Sequence, residues 1–360
     1  MPLFRKFAVL ILILSMSPFL ERANALDEKF ELYNAPQALG MGNAFTADAT
    51  GYTALFYNPA GLAKGESRHP EITPVAIEFQ PGFGGLGSMI STRSIGTYQL
   101  ARHLVQSPNS YDYFRANVLP SFIYNGFGVA FLGSYQFAGQ SDGTLDDINA
   151  TTDYGIVAGG AMNFFGNRLK IGVAGKVIDR NQLKGTYDPA SFTSDQGTAA
   201  MMKEGIGYGG DLGVMFSLPE KYLPTIAATW KDVLGTYFHA AHFQNPSASG
   251  VPDKIDQEFN AAVSVHPSLS AHVRGTFTVE YRHLELPNLA FRKKLHIGMQ
   301  LITDKSFYFW AGMNELYPCF GMAMRVPGGN LELGTYAEDV GYGNDSVSDR
   351  RIFFRYTIGF

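Results

Sequence analysis

The chain closes on "RRIFFRYTIGF", residues 350–360. Read backwards from Phe360, alternate positions are Ile358, Tyr356, Phe354 and Ile352, all apolar or aromatic; the interleaved set is Gly359, Thr357, Arg355, Phe353 and Arg351. A period of two is the signature of a strand whose two faces meet different surroundings. The pattern recurs upstream. "VRGTFTVEYR" sets Val273, Phe277, Val279 and Tyr281 against Arg274, Thr276, Glu280 and Arg282. "LKIGVAGKV" sets Ile171, Val173 and Val177 against Lys170 and Lys176, and "CFGMAMRV" sets Phe320, Met322 and Met324 against Arg325.

Fourteen such segments can be placed between residues 72 and 360. Their connections alternate in length. Tight turns fall at "NG" (125–126), "FGNR" (165–168), "LPEK" (218–221), "HPSLS" (266–270), "TDK" (303–305) and "PGGN" (327–330). Longer polar stretches fall at 81–115, 139–152, 181–204, 233–256, 284–292 and 339–349; only "ELYP" (315–318) breaks the rhythm. Short turns on one side, long loops on the other and an even strand number describe an outer-membrane barrel. The expected fold is all-β: a transmembrane antiparallel β-barrel of about 14 strands with an N-terminal plug in its lumen. A soluble periplasmic β-sandwich or jelly roll also alternates, but needs neither this loop rhythm nor 28 Phe and 19 Tyr beside only 17% charged residues.

Arg5 and Lys6 precede an apolar run from Phe7, which ends near "ANA" at 23–25. This reads as a secretory signal peptide, residues 1–25, cut after Ala25. A membrane anchor needs roughly 20 apolar residues, more than the run supplies. The division is then signal peptide 1–25, plug 26–69 and barrel 70–360. Cys319 is the sole cysteine, so no internal disulfide exists. A net charge of −4 and a pI of 6.1 leave no basic footprint for nucleic acid.

Residues 26–69 lack strand rhythm, and Asn58-Pro59-Ala60-Gly61 is a compact turn. A lead-in of this length is too long to be a simple connection, and fourteen strands enclose more space than wall side chains fill. "ALGMGNAFTADATGYTALFYNPAGLA" (38–63) resembles the N-terminal hatch of the FadL/TodX-type outer-membrane transport proteins, and "GGDLGVMF" (209–216) resembles a strand common in that group. The resemblance implies an outer-membrane channel for passive uptake of hydrophobic small molecules, such as long-chain fatty acids or aromatic hydrocarbons. It places gating at Asn58, Pro59, Ala60 and Gly61, and ligand contacts at Phe45, Leu55 and Phe56 of the hatch. PorV-type secretion partners carry similar hatch motifs, so a binding or assembly partner of envelope proteins is the alternative.

Loop 233–256 offers Tyr237, Phe238, Ala241 and Phe243, and loop 181–204 offers Phe192, Met201 and Met202. Clusters of this kind suit varied apolar ligands, or simply pack on each other. On the assigned parity Arg274, Arg282, Lys294, Arg325, Arg351 and Arg355 face the lumen with Glu280, Glu332 and Glu338. That basic excess reads either as a seat for an anionic head group or as structural pairs on a polar wall.

His239 and His242 have no acidic or cysteine partner at ligand spacing, so neither metal nor cofactor is expected, and no nucleophile set marks an enzyme. Expected partners are outer-membrane lipids and lipopolysaccharide; Asp142, Asp146, Asp147 and Asp345 read as solvated loop charges or as carboxylates that bridge lipopolysaccharide through divalent cations. A hydrophobic or amphiphilic small molecule and the outer-membrane assembly machinery, read through the terminal Phe360, complete the set.

Overall fold

The computed structural model describes residues 28–64, 69–83, 96–106, 108, 111–303, 307–341 and 346–359. The expectations for the signal peptide, Asp345 and Phe360 lie outside these residues. Fifteen strands are described: β1 His69–Phe79, β2 Tyr111–Tyr124, β3 Phe127–Ser141, β4 Asp146–Phe164, β5 Leu169–Tyr187, β6 Lys203–Ser217, β7 Thr225–Lys231, β8 Tyr237–Ala240, β9 Glu258–Val265, β10 Val273–Tyr281, β11 Leu295–Thr303, β12 Phe307–Asn314, β13 Tyr317–Val326, β14 Gly329–Asp339 and β15 Ser348–Gly359.

Every pairing is antiparallel. β1 pairs with β2 on one side and with the terminal β15 on the other, and β5 pairs with β6, so fourteen strands close into a barrel. The short β8 pairs with β6 above it. Closure leaves no edge unpaired among the fourteen wall strands, the only state a sheet can adopt in hydrocarbon. At the tight β2–β3 turn Asn125 and Gly126 both have positive φ, 42° and 83°, the type I′ geometry that "NG" favours.

The alternation resolves as apolar outside and polar inside. Ile171, Val173 and Val177 are exposed on the outer face of β5 while Lys170 and Lys176 are buried inside. On β15 Ile352 and Phe354 point out, and Arg351, Phe353, Arg355 and Thr357 are buried. β12, apolar on both faces in sequence, turns Phe307, Phe309 and Met313 outward and buries Trp310. Exposed aromatics mark two levels. Tyr124, Phe127, Phe164, Phe165 and Tyr222 lie toward the short turns, and Tyr154 and Tyr208 toward the loops. On β4 the stretch from Tyr154 to Phe164 matches the roughly 9–11 residues a tilted strand needs to span a bilayer.

One loop expectation is corrected. Residues 139–152 are not a loop: β3 and β4 stay paired up to Ser141 and Asp146, and Asp142 Oδ1 accepts from Thr144 N and Leu145 N to close the turn. β2–β5 therefore rise above the apolar belt. Their raised outer face carries Phe114, Phe137, Ile148, Ala150 and Leu183, all buried. Standing outside lipid, that face needs a protein cover. It has one in the helix Thr97–Gln106 and the segment 189–202, which includes the helix Asp195–Met201 capped by Ser194.

The belt makes a quantitative prediction. Val173→Arg, at mid-belt on the outer face, should cost about 2–4 kcal/mol of folding stability. Urea titration of the protein folded in lipid vesicles measures it; a cost near zero would mean that this face does not meet hydrocarbon.

Candidate functional site: the barrel interior

Residues 28–64 lie inside the barrel and touch inward-facing groups around its wall. At the loop end Glu28 accepts from Arg351 Nη1 and Nη2 at 2.7 Å and from the Tyr111 hydroxyl at 2.6 Å. Glu31 accepts from Lys231 Nζ at 2.7 Å and from Arg282, and its carbonyl accepts from Arg115 at 2.7 Å. Arg355 is held bidentately by Glu332 and donates to the hydroxyls of Tyr33 and Tyr52. Midway, Glu280 Oε2 accepts from the backbone amides of Phe45 and Thr46, each at 2.7 Å, and Oε1 accepts from the Thr46 hydroxyl at 2.7 Å. Asp48 meets His266 at 2.8 Å. Toward the short turns Asn163 donates to Ala63 O at 2.8 Å.

The Asn58-Pro59-Ala60-Gly61 turn is buried against β5 and β6. Asn58 Nδ2 donates to Thr46 O at 3.1 Å and reaches the wall carbonyls of Val214 and Ala228 at 3.3 and 3.4 Å, while its Oδ1 accepts from Ala60 N. One side chain thus ties the segment to itself and to two strands. The approach is close enough to require glycine. A Cβ at Gly213 would stand 2.0 Å from Asn58 Oδ1, and Gly42, at φ +62°, lies 2.5 Å by the same measure from the Met313 backbone.

Burial alone would raise the pKa of Glu31. Lys231 and Arg282 outweigh it and hold the group at about 2. A depressed carboxylate contributes its docking energy above the ordinary carboxylate range and loses it only as pH falls toward that value. The anchor therefore persists through mild acid.

The site residues read from sequence divide. Glu280, Arg282, Arg351 and Arg355 are interior and paired. Lys294 is buried in a short helical turn, where it donates to Leu286 O. Arg274 and Arg325 share the inward parity but sit at the short-turn ends of their strands and are exposed, which removes them from the interior set. The basic excess is also corrected: Glu28, Glu31 and Glu258 meet the arginines, so no anion seat is left among them.

Phe45, Leu55 and Phe56 are buried in the interior cluster, with Phe45 edge-on to Tyr57 at 5.2 Å. Phe192, Met201 and Met202 are not in the lumen at all; they pack in the cover on the outer wall. Phe238 is buried under Arg180, 5.4 Å from the ring centroid, whereas Phe243 is 78% exposed. His239 and His242 are exposed, and no metal-ligand cluster occurs among the described residues. Sequence reading missed Glu28, Glu31, Arg115, Arg180, Lys231 and Glu258. The wall members among them sit at inward parity on their strands, a signal that was available.

No protein-family model matches the chain, and no curated protein does. Solved structures do. The ΔS2 variant of the TodX monoaromatic hydrocarbon channel superposes with TM-score 0.54 at 10% identity, covering 91% of this chain and 98% of that one. The CymD monoaromatic hydrocarbon channel gives 0.51 at 11%, covering 90% and 97%. The Ralstonia pickettii toluene transporter TbuX gives 0.50 at 12%, covering 91% and 98%. The protein is thus a fourteen-strand outer-membrane barrel. Its fold is that of the FadL/TodX-type channels over about nine-tenths of the chain.

Removing one member of a buried ion pair strands the other, at a cost of about 3–5 kcal/mol. Arg351→Met, which leaves Glu28 and Asp349 without their cation, should free the start of the interior segment. Modification of a Phe30→Cys reporter by a membrane-impermeant maleimide is expected to accelerate at least tenfold. Unchanged labelling would show that the ion pair does not hold the segment.

Proposed function

We propose that the protein is an outer-membrane channel for the passive entry of hydrophobic small molecules, and that residues 28–64 are its hatch. The observation that carries this reading is how the segment is held. Among the described residues its bonds to the wall run through side chains, with no strand ladder between segment and wall. It can shift by exchanging side-chain partners while the barrel stays closed. That the three neighbouring folds are named as hydrocarbon channels or transporters supports the cargo class.

In this reading the exit lies at a weak stretch of the wall, beside a groove on its outer face. β1 carries a bulge between Thr73 and Ala76, and its partner β2 has Pro120, which cannot donate to the ladder. The β2–β3 pairing is interrupted between Val118 and Ser121. Beside this weak stretch lies a groove of about 540 Å³, lined mainly by apolar groups including Ile77, Val118, Pro120, Phe131 and Tyr154. A molecule leaving there would pass into the hydrocarbon layer without crossing the short-turn end. Long-chain fatty acids and monoaromatic hydrocarbons both fit this class.

The partner-binding reading draws on Leu234 and Phe243, 74% and 78% exposed at the loop end, which would suit a protein surface. Uptake separates the two. Cells carrying the protein should take up radiolabelled toluene or oleate several-fold faster than cells without it, and Asn58→Ala should change that rate at least twofold. Uptake no faster than in cells lacking the protein would remove the channel reading, and co-purification of an envelope protein would then favour the other.

A further inference from the structure

The hatch reading leaves the cargo's chemistry open, and one cavity narrows it. A space of about 320 Å³ lies at the loop end between residues 28–33 and the inner wall of β4–β7. Its buried cations already have carboxylate partners. Lys176 lies 2.9 Å from Asp211 and 3.0 Å from Asp232, Arg180 lies 2.7 Å from Asp153, and Lys231 is shared by Glu31 and Glu258. An anionic guest would lose its hydration and meet no unpaired cation among these groups.

Two neutral side chains on the same wall are not matched. Asn149 and Thr151, 8% and 3% exposed, both line the cavity, and Asn149 Oδ1 and Thr151 Oγ1 are buried without a hydrogen-bond partner. Buried polar atoms in native proteins are ordinarily satisfied, so each such atom asks for a partner. Asn149 Oδ1 can only accept; Thr151 Oγ1 can accept or donate. The two positions are two residues apart on one strand face, about 7 Å. One hydroxyl cannot serve both, but a ring bearing several can. Leu55, Phe56 and Val157 give the same space an apolar side.

We propose that this cavity receives the neutral, polyhydroxyl end of a small amphiphile, an aryl or short alkyl glycoside, with its apolar end against Leu55, Phe56 and Val157. The inference rests on the channel reading for its purpose, but its binding chemistry stands alone. Hydroxyls of the guest donate to Asn149 Oδ1 and exchange a hydrogen bond with Thr151 Oγ1. The buried ion pairs stay intact and disfavour phosphates and carboxylates.

The test uses the full chain in phosphatidylcholine nanodiscs and three water-soluble probes: phenyl β-glucoside, phenyl phosphate and toluene. Calorimetry should show saturable one-to-one binding of the glucoside, with the phosphate and toluene at least tenfold weaker at this site. Asn149→Leu with Thr151→Val should weaken the glucoside at least tenfold. Thr151→Val alone, which keeps the side-chain shape, should weaken it about threefold, and Thr151→Ser should retain it; these two carry the test if the double variant does not fold.

Absence of glucoside binding, equal binding by wild type and Thr151→Val, or phenyl phosphate binding as tightly as the glucoside would each overturn the proposal. Toluene uptake by cells is measured in parallel. Normal uptake without glucoside binding overturns this inference alone. Glucoside binding without uptake overturns the channel reading alone.

Discussion

Hydrocarbon offers a backbone amide nothing to bond, and that constraint organises this molecule. It forces the last strand to find the first, as β15 does with β1, and forces each strand to show apolar side chains on alternate positions. The inner face is released from the constraint. Strands that must alternate then carry a second set of residues free to be polar, and here that set is dense with ions. The interior is held together by charge as well as by the apolar cluster that Phe45, Leu55 and Phe56 form with the inner wall.

Those ions have to be neutralised within a confined space, and the N-terminal segment supplies much of the neutralisation. Glu28 and Glu31 answer Arg351, Arg282 and Lys231, while Glu280 reaches the other way and satisfies backbone amides of the segment at Phe45 and Thr46. Wall and segment are therefore electrostatically incomplete without each other. Buried pairs of this kind add little net stability compared with apolar packing, but breaking one is costly. That asymmetry suits the proposed hatch, which would stay in one place until displaced as a unit.

Much of the barrel was legible in the sequence. Period two, the "NG" turn at Asn125-Gly126 and the short-long rhythm of connections are local signals, and the fourteen wall strands fall where they point. Three things were not legible. The rise of β3 and β4 beyond Ala138 and Asp153 was hidden because the inner face there is polar and reads as loop. The position of Phe192, Met201 and Met202 outside the wall was hidden because an apolar cluster in a loop does not say which surface it will cover. The partners of the interior arginines were hidden because two of them lie in a segment with no period, where spacing predicts no direction. Parity located the cations and the wall's own carboxylates; only the path of residues 28–31 located Glu28 and Glu31.

The central claim is that the segment moves relative to the wall when cargo passes. Leu62 and Gly128 face each other across that boundary, with a Cβ at Gly128 3.0 Å from a Leu62 methyl. A disulfide between Leu62→Cys and Gly128→Cys, in a Cys319→Ala background, would tether the hatch to the wall. Toluene uptake by cells carrying the oxidised tether is predicted to fall several-fold and to recover on reduction. Equal uptake by the oxidised and reduced forms, with the crosslink confirmed on gels, would contradict the account.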